Sequence, residues 1–310
     1  MKFQFQKATK QQMKARVAIS GPAGAGKTTD ALLFAKQLAG QDGRVAVIDT
    51  ERGSASLYSD RFDFDTIDFV PPYDPRILVE AIDAAAAGGY AVLVIDSLSH
   101  FWAGEGGLLE FVDKAGSNKF TNGWGQATPM QNRMVEKILS FPGHVVVTMR
   151  SKVAYAVDST GGKAIPRKIG QAPIQREGLD FEFTLVLDLD RDHTIGISKT
   201  RCSELETTGF VPASELGTII DAFVRWLGEG DVASLPIKTA KLRLFQAFKD
   251  RGWPESDAKV HAAALWAEAP VNGDRIEEDT LDALIRQVPR ATVEVDLFDV
   301  TTNDAEAVAS

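Results

Sequence analysis

The sequence predicts an α/β fold: a mostly parallel central sheet flanked by helices, then a small C-terminal helical appendage and an acidic tail. Three observations predict it. Apolar runs of strand length alternate with stretches of helical period, the order of a parallel sheet with helical crossovers. A glycine-rich turn, "GPAGAGKTT", separates the first run from the first helix. Past residue 228, "GEGDVASLP" breaks every period and reads as a linker.

"RVAIS" (16–20) reads as a buried strand, followed by a helix from Lys27 to Ala39. "RVAVID" (44–49) is a second strand and "FDTIDFV" (64–70) a short third. "DPRILVEAIDAAAAG" is a helix with Asp74 as N-cap and Pro75 at its first position. "AVLVID" (91–96) and "HVVVTM" (144–149) are further strands, separated by a long polar loop and a helix. "FEFTLVLDLD" and "TIGISKT" form an antiparallel pair joined by "RDH", and "ELGTIIDAFVRWL" closes the core as a helix. The domain reading is a core over 1–228, a linker over 229–236, a helical module over 237–289 and a disordered acidic tail over 290–310.

Composition excludes several classes. With 310 residues, 44% apolar and 25% charged, the chain is ordinary for a soluble globular protein. The single cysteine, Cys202, allows no internal disulfide framework and fits a reducing compartment. No leader-like or membrane-spanning run is present, so a cytoplasmic, membrane-free protein is expected. Net charge is −9, yet residues 1–29 hold six Lys/Arg and no acid, and the tail after Arg290 holds five acids and no base. Basic segments are therefore local in an acidic protein.

The turn matches G-x-x-x-x-G-K-[ST] through Gly21, Gly26, Lys27 and Thr28, with Pro22, Ala23, Gly24, Ala25 and Thr29 completing the loop. It lies between a strand and a helix, the context that validates a phosphate-binding loop. Such a loop wraps phosphates in backbone N–H groups, brings Lys27 to the β and γ phosphates and places Thr28 on Mg²⁺. Asp96, at the end of an apolar strand, supplies a carboxylate for the Mg²⁺ water shell. ATP and Mg²⁺ are the expected cofactors. The four histidines show no ligand spacing, so a zinc site is not expected.

Ser97 follows Asp96, so the glutamate that ring ATPases of the AAA-plus type carry at that position is missing. "VAVIDTERG" instead places Glu51 past a different strand end. This resembles the RecA-type ATPases, where the water-orienting glutamate follows the strand next to the P-loop strand. Tyr58, seven residues on, stands at the spacing of their adenine-stacking tyrosine; a tyrosine packed in the core fits as well. The wording "GPAGAGKTT", "VIDTERGSASLY", "IDSLSHFW", "MRSK", "IQREGLDFEF" and "SKTRC" resembles phage-encoded RecA-core AAA ATPases, including those that anneal single strands. The resemblance covers about residues 3–227 and implies a RecA-like P-loop NTPase that hydrolyses ATP.

It implies partners too. Lys199 and Arg201 lie where RecA-like filaments carry a basic pair that reaches the neighbouring subunit's ATP, so a homo-oligomer, filament or ring, is expected. The alternative for this pair is a surface salt bridge to the acids of 188–192. Where RecA proteins end a strand in Asn-Gln, this chain has Thr148-Met149-Arg150, which makes Thr148 or Arg150 the candidate γ-phosphate sensor. Single-stranded DNA is the expected ligand of two segments. One is the loop 102–129 with Lys119, Phe120 and Trp124; the other is the basic loop 150–177 with Lys152, Lys163, Arg167 and Lys168. Aromatic residues in the first loop fit core packing equally. Phe5-x-x-Ala8 resembles the short sequence by which recombinases dock on a neighbour. Leu297-Phe298 in the tail resembles clamp-binding peptides, which bind replication partners, but lacks their leading glutamine, and a disordered end with no partner fits better. A nucleotide-gated adaptor for replication partners and a P-loop small-molecule kinase are the alternatives.

Overall fold

The structure is a computed structural model that describes residues 9–10, 12–115, 123–160, 163–232, 234–271, 273, 275–289 and 291. Its first strand, β1 (Arg16–Gly21), is buried along its whole length, as a run of Val, Ala and Ile must be when both faces are covered. It feeds α1 (Lys27–Ala39) through the glycine-rich turn. β2 (Val45–Asp49), β3 (Asp65–Asp68) and α2 (Pro75–Ala87) follow. Asp74 caps α2 by accepting the Arg76 N–H at 2.8 Å, with Pro75 at the first position, as expected. The core continues through β4 (Val92–Asp96), α3 (Ser99–Ala103), α4 (Leu108–Lys114) and α5 (Trp124–Leu139) to β5 (His144–Thr160) and β6 (Lys163–Pro173). β7 (Leu185–Leu189), β8 (Thr194–Thr200), β9 (Val211–Pro212) and α6 (Leu216–Leu227) complete it.

The strands form a sheet of order β3-β2-β4-β5-β1-β7-β8-β9, with β6 paired to β5. Neighbours from β3 to β7 run parallel, while β7–β8, β8–β9 and β5–β6 are antiparallel. This is the α/β, mostly parallel class expected. Each face has its own core. Val17, Ile19, Val94 and Leu187 pack with Phe34 of α1 and Phe223 of α6. Ala18, Ile48, Leu93 and Val147 pack on the other side with Leu78 of α2 and Ile138 of α5. Alternate residues of one strand thus serve opposite layers. Arg16 closes the lower edge: its buried guanidinium donates to the carbonyls of Leu139, Phe141 and Gly143 at 2.7, 2.5 and 2.8 Å. Burial pulls its pKa down to about 10.

Four expectations are corrected. β2 follows β1 in the chain, but β4 and β5 separate them in the sheet, so Glu51 does not follow a spatial neighbour of the P-loop strand. The segment 150–177 is no open loop: β5 runs on to Thr160 and turns back as β6, pairing from Ser151–Pro173 to Thr160–Lys163. The Val, Tyr and Ile of 151–173 have the β-propensity that favours such a ribbon. The loop 102–129 is also largely helical in its described part, being taken up by α3, α4 and the start of α5. Finally, residues 181–184 of the expected strand "FEFTLVLDLD" enter β7 through a tight 3₁₀ turn, Leu179–Glu182.

The chain divides into two compact units, Met1–Asp231 and Val232–Ser310. In the second, α7 (Ile237–Asp250), α8 (Glu255–Ala267) and α9 (Glu278–Gln287) enclose Leu244, Phe248, Ala258 and Leu281. Within the segment read as linker, Ser234–Pro236 forms β10, antiparallel to β11 (Arg275–Glu277). The tail from 292 onward, Phe5-x-x-Ala8, Lys119 and Phe120 lie outside the described residues. Among the described residues no helix is long and apolar enough to cross a membrane.

Candidate nucleotide site

The carboxyl ends of β1, β2, β4 and β5 meet along one edge of the sheet, where α/β folds of this kind bind ligands. β1 delivers Gly21, whose added Cβ would sit 3.0 Å from the Leu189 carbonyl oxygen, a close approach that a side chain would crowd. Gly24 and Gly26 adopt φ of 80° and 96°, left-handed values that let successive N–H groups point inward at the start of α1. Nothing lies within 4 Å of a Cβ built on Gly24, so this part of the cradle is open. Lys27 donates to the Pro22 carbonyl at 2.8 Å, which folds its ammonium back over the loop. Burial lowers its pKa, and the carboxylates of Asp96 and Glu51 oppose that shift.

Asp96 closes the floor. It is 2% exposed and accepts from Thr28 Oγ1 at 2.6 Å and from Thr148 Oγ1 on its other oxygen. Burial pushes its carboxyl up, and the two hydroxyl bonds work against that rise. A hydroxyl and a carboxylate this close, beside a phosphate cradle, suit Mg²⁺, which takes few protein ligands and keeps its waters and substrate phosphates. The residues present therefore fit Mg²⁺: Thr28 through its hydroxyl and Asp96 through the water shell.

Glu51 is placed by a residue that carries no motif of its own. Asp49, fully buried at the end of β2, accepts the Glu51 N–H at 2.6 Å and the Ala55 N–H at 2.8 Å. This two-pronged turn bends the chain through Arg52 (φ 61°) and Gly53 (φ 78°). Thr50 ties the same turn to the next strand: its N–H donates to the Asp96 carbonyl at 2.7 Å, and its Oγ1 lies 2.6 Å from His100 Nδ1. His100 stacks on Tyr73 at 4.8 Å. Burial, reinforced by Arg150, lowers its pKa. The only signal in the sequence for Asp49 was its place as the last residue of an apolar run.

The Glu51 carboxylate is not an exposed loop charge. Arg150 grips it with both arms, Nε to Oε1 at 2.9 Å and a terminal nitrogen to Oε2 at 2.5 Å. Of the two γ-phosphate-sensor candidates, Thr148 is fully buried with its hydroxyl on Asp96, and Arg150 has its guanidinium on Glu51. Tyr58 ends a 3₁₀ turn, Ala55–Tyr58, and its ring packs partly buried against the core of the α1 face.

Lys199 and Arg201 lie at the other edge. β8 is antiparallel to β7, and Lys199 stands opposite Val186 while the Arg201 N–H reaches Thr184. Gly21 lies one residue past the Ser20–Asp188 rung, level with Leu189. Along the strands about three residues, roughly 10 Å, therefore separate Lys199 from its own P-loop, and about five, roughly 17 Å, separate Arg201. Among the described residues no salt bridge joins this pair to the acids of 188–192; Lys199 Nζ donates to the carbonyls of Asp180 and Phe181. Burial pushes the Asp188 carboxyl up, and the Ser198 and Ser20 hydroxyls work against that rise.

Of the DNA candidates, Trp124 opens α5 with its ring 5.8 Å from Trp102 and remains 37% exposed. Lys152 is exposed at the root of the β5–β6 hairpin. Lys163, Arg167 and Lys168 lie on β6, and their side chains fall outside the described residues.

A strand-turn-helix phosphate cradle, a threonine at its mouth and a buried aspartate on a central strand define a P-loop NTPase. Residues 13–209 match the family model described as "AAA domain", more than half of the chain, and the chain belongs to that family. No curated protein matches the sequence. Among solved structures, a KaiC-like protein from the hyperthermophilic archaeon Pyrococcus horikoshii is similar, at 16% identity and a TM-score of 0.37, covering 63% of this chain and 81% of that one.

Proposed function

We propose that the protein hydrolyses ATP with Mg²⁺ and couples this to single-stranded DNA, in strand annealing or handling of the phage recombination and replication type. The observation that carries the ATPase reading is the Thr28–Asp96 hydrogen bond at 2.6 Å with Glu51 on the same sheet edge. Mg²⁺ would neutralise charge on the phosphates. Lys27 and the loop N–H groups hold the β and γ phosphates, and Glu51 accepts the proton of the attacking water.

Lys199 and Arg201 support an oligomer. They stand at the edge opposite their own P-loop, so any contact they make with ATP is with a neighbour's. A cation supplied in this way stabilises the transferring phosphoryl group and ties turnover to assembly. DNA is supported by the hairpin: β1 ends at Gly21 opposite Arg150, and residues 151–160 run on beyond that rung as part of a basic ribbon. Ten residues of strand give it a length of about 30 Å, enough to track a phosphate backbone.

The test is ATP hydrolysis by the full chain with and without oligothymidylate, with Glu51→Gln and Arg201→Ala alongside. The proposal expects DNA to accelerate hydrolysis and both variants to abolish it. Hydrolysis indifferent to DNA would leave the ATPase and favour a nucleotide-gated adaptor.

A further inference from the structure

We infer that Arg150 is a latch on Glu51, one that holds the base out of use until the β5–β6 hairpin is engaged. The inference rests on Glu51 as the group that activates water. Hydrolysis requires the water oxygen to bond the γ phosphorus as the bond from that phosphorus to the β,γ-bridging oxygen breaks, its electron pair leaving with ADP. One water proton must pass to Glu51, and for that a carboxylate oxygen needs a lone pair aimed at the water within hydrogen-bond reach. In this structure the guanidinium occupies both oxygens, at 2.9 and 2.5 Å, in the planar fork geometry that arginine matches to carboxylates. Each oxygen keeps a second lone pair, but the fork fixes the direction in which the carboxylate faces, so those lone pairs serve only a water lying where Arg150 holds them.

Arg150 is also where the hairpin joins the site. Its Cα pairs with Gly21 at the end of the P-loop strand, and the next residue, Ser151, begins the ribbon opposite Pro173. Its N–H donates to Ser99 Oγ at 2.9 Å, and its carbonyl accepts from the Ile174 N–H at 2.6 Å, where the returning strand leaves the hairpin. Both ends of the ribbon are therefore tied to this one residue. A ligand that binds better to one twist of the ribbon than another shifts the position of Arg150 by that difference in affinity. The latch can open: the Arg150 and Glu51 side chains are 43% and 26% exposed, so water can replace each partner as they separate. The assignment reverses the role expected for Arg150 from the sequence, since a γ-phosphate sensor accelerates hydrolysis and a latch restrains it.

The experiment measures kcat and KM for Mg-ATP with the full chain: wild type, Arg150→Gln, Arg150→Lys and Glu51→Gln, each with and without oligothymidylate. The latch expects Arg150→Gln to raise kcat without DNA by roughly 5–50-fold, the scale of a typical coupling. KM should stay unchanged, and DNA should add little further. Arg150→Lys, which keeps the charge but loses the fork, should fall between and serves if the Gln variant does not fold. A fall in kcat for both variants, with Glu51→Gln inactive, overturns the latch and leaves the ATPase reading standing. A rise in kcat when wild type ignores DNA upholds the latch and overturns DNA as the hairpin's ligand. Activity unaffected by Glu51→Gln overturns the reading of the site and the latch with it.

Discussion

Thr28 Oγ1 donates to Asp96 Oδ2 at 2.6 Å, joining the first turn of the P-loop helix to the floor of the sheet. The bond sets the threonine hydroxyl and the aspartate at the spacing a small hard cation needs once that proton is turned away. Asp96→Asn should keep nucleotide binding in the absence of Mg²⁺. It should lose the gain in affinity that Mg²⁺ brings and slow hydrolysis by roughly 10²–10³-fold, the scale of removing one charge-stabilising group. Nucleotide titrations with and without Mg²⁺, beside steady-state hydrolysis, check both halves. Equal Mg²⁺ dependence in the variant and wild type would remove Asp96 from the metal site.

Asp49→Ala withdraws the acceptor from two N–H groups, those of Glu51 and Ala55. An orphaned buried donor costs about 1–3 kcal/mol, so stability should fall by roughly 2–4 kcal/mol in denaturant unfolding. Catalysis should fall through kcat more than KM, because the residue positions Glu51 and is not expected to contact ATP. A variant with lowered stability and normal kcat would confine Asp49 to folding.

Asp30, in the first turn of α1, is buried and has its pKa raised from 3.8 to about 6 by desolvation, against a small opposing effect of His193. A raised carboxyl holds its proton more tightly in the folded state. Its contribution to stability is fully present below about 3.8 and is lost as pH rises through about 6. Asp30→Asn should therefore stabilise the protein at pH 8, by roughly 1–3 kcal/mol, and have little effect at pH 4. Thermal melts across that range test the sign; equal effects at both ends would contradict it.

Arg16→Met removes a cation whose donors reach the carbonyls of Leu139, Phe141 and Gly143. The apolar stem is replaced but the carbonyls are not, so a loss of roughly 2–4 kcal/mol is expected in urea unfolding. The nucleotide edge lies at the far end of β1, and nucleotide affinity should hold.

Legibility followed the range of the interactions involved. The P-loop was readable because its chemistry is contiguous: Gly21 to Thr28 act through backbone angles and a helix start that neighbouring residues specify. Buried parallel strands such as "VLVID" were readable because both faces are apolar, and the cap on α2 because Asp74 acts on a residue two places away. The hairpin 151–173 was read as a basic loop from its charges and its place in the resemblance, while the cross-strand pairing that makes it a ribbon is invisible along the chain.

By itself the sequence determined the class of the protein, the phosphate cradle, the strand that bears Asp96 and the existence of a second, helical unit. Only the tertiary structure decided the partners. It set Thr148 on Asp96, Arg150 on Glu51 and Asp49 under the turn that carries Glu51, and it moved Lys199 and Arg201 to the edge away from their own P-loop. The physical reason is that local motifs are written in backbone preferences within a few residues. A side-chain pair such as Arg150–Glu51, 99 positions apart, exists only because strand order brings two chain ends to one edge.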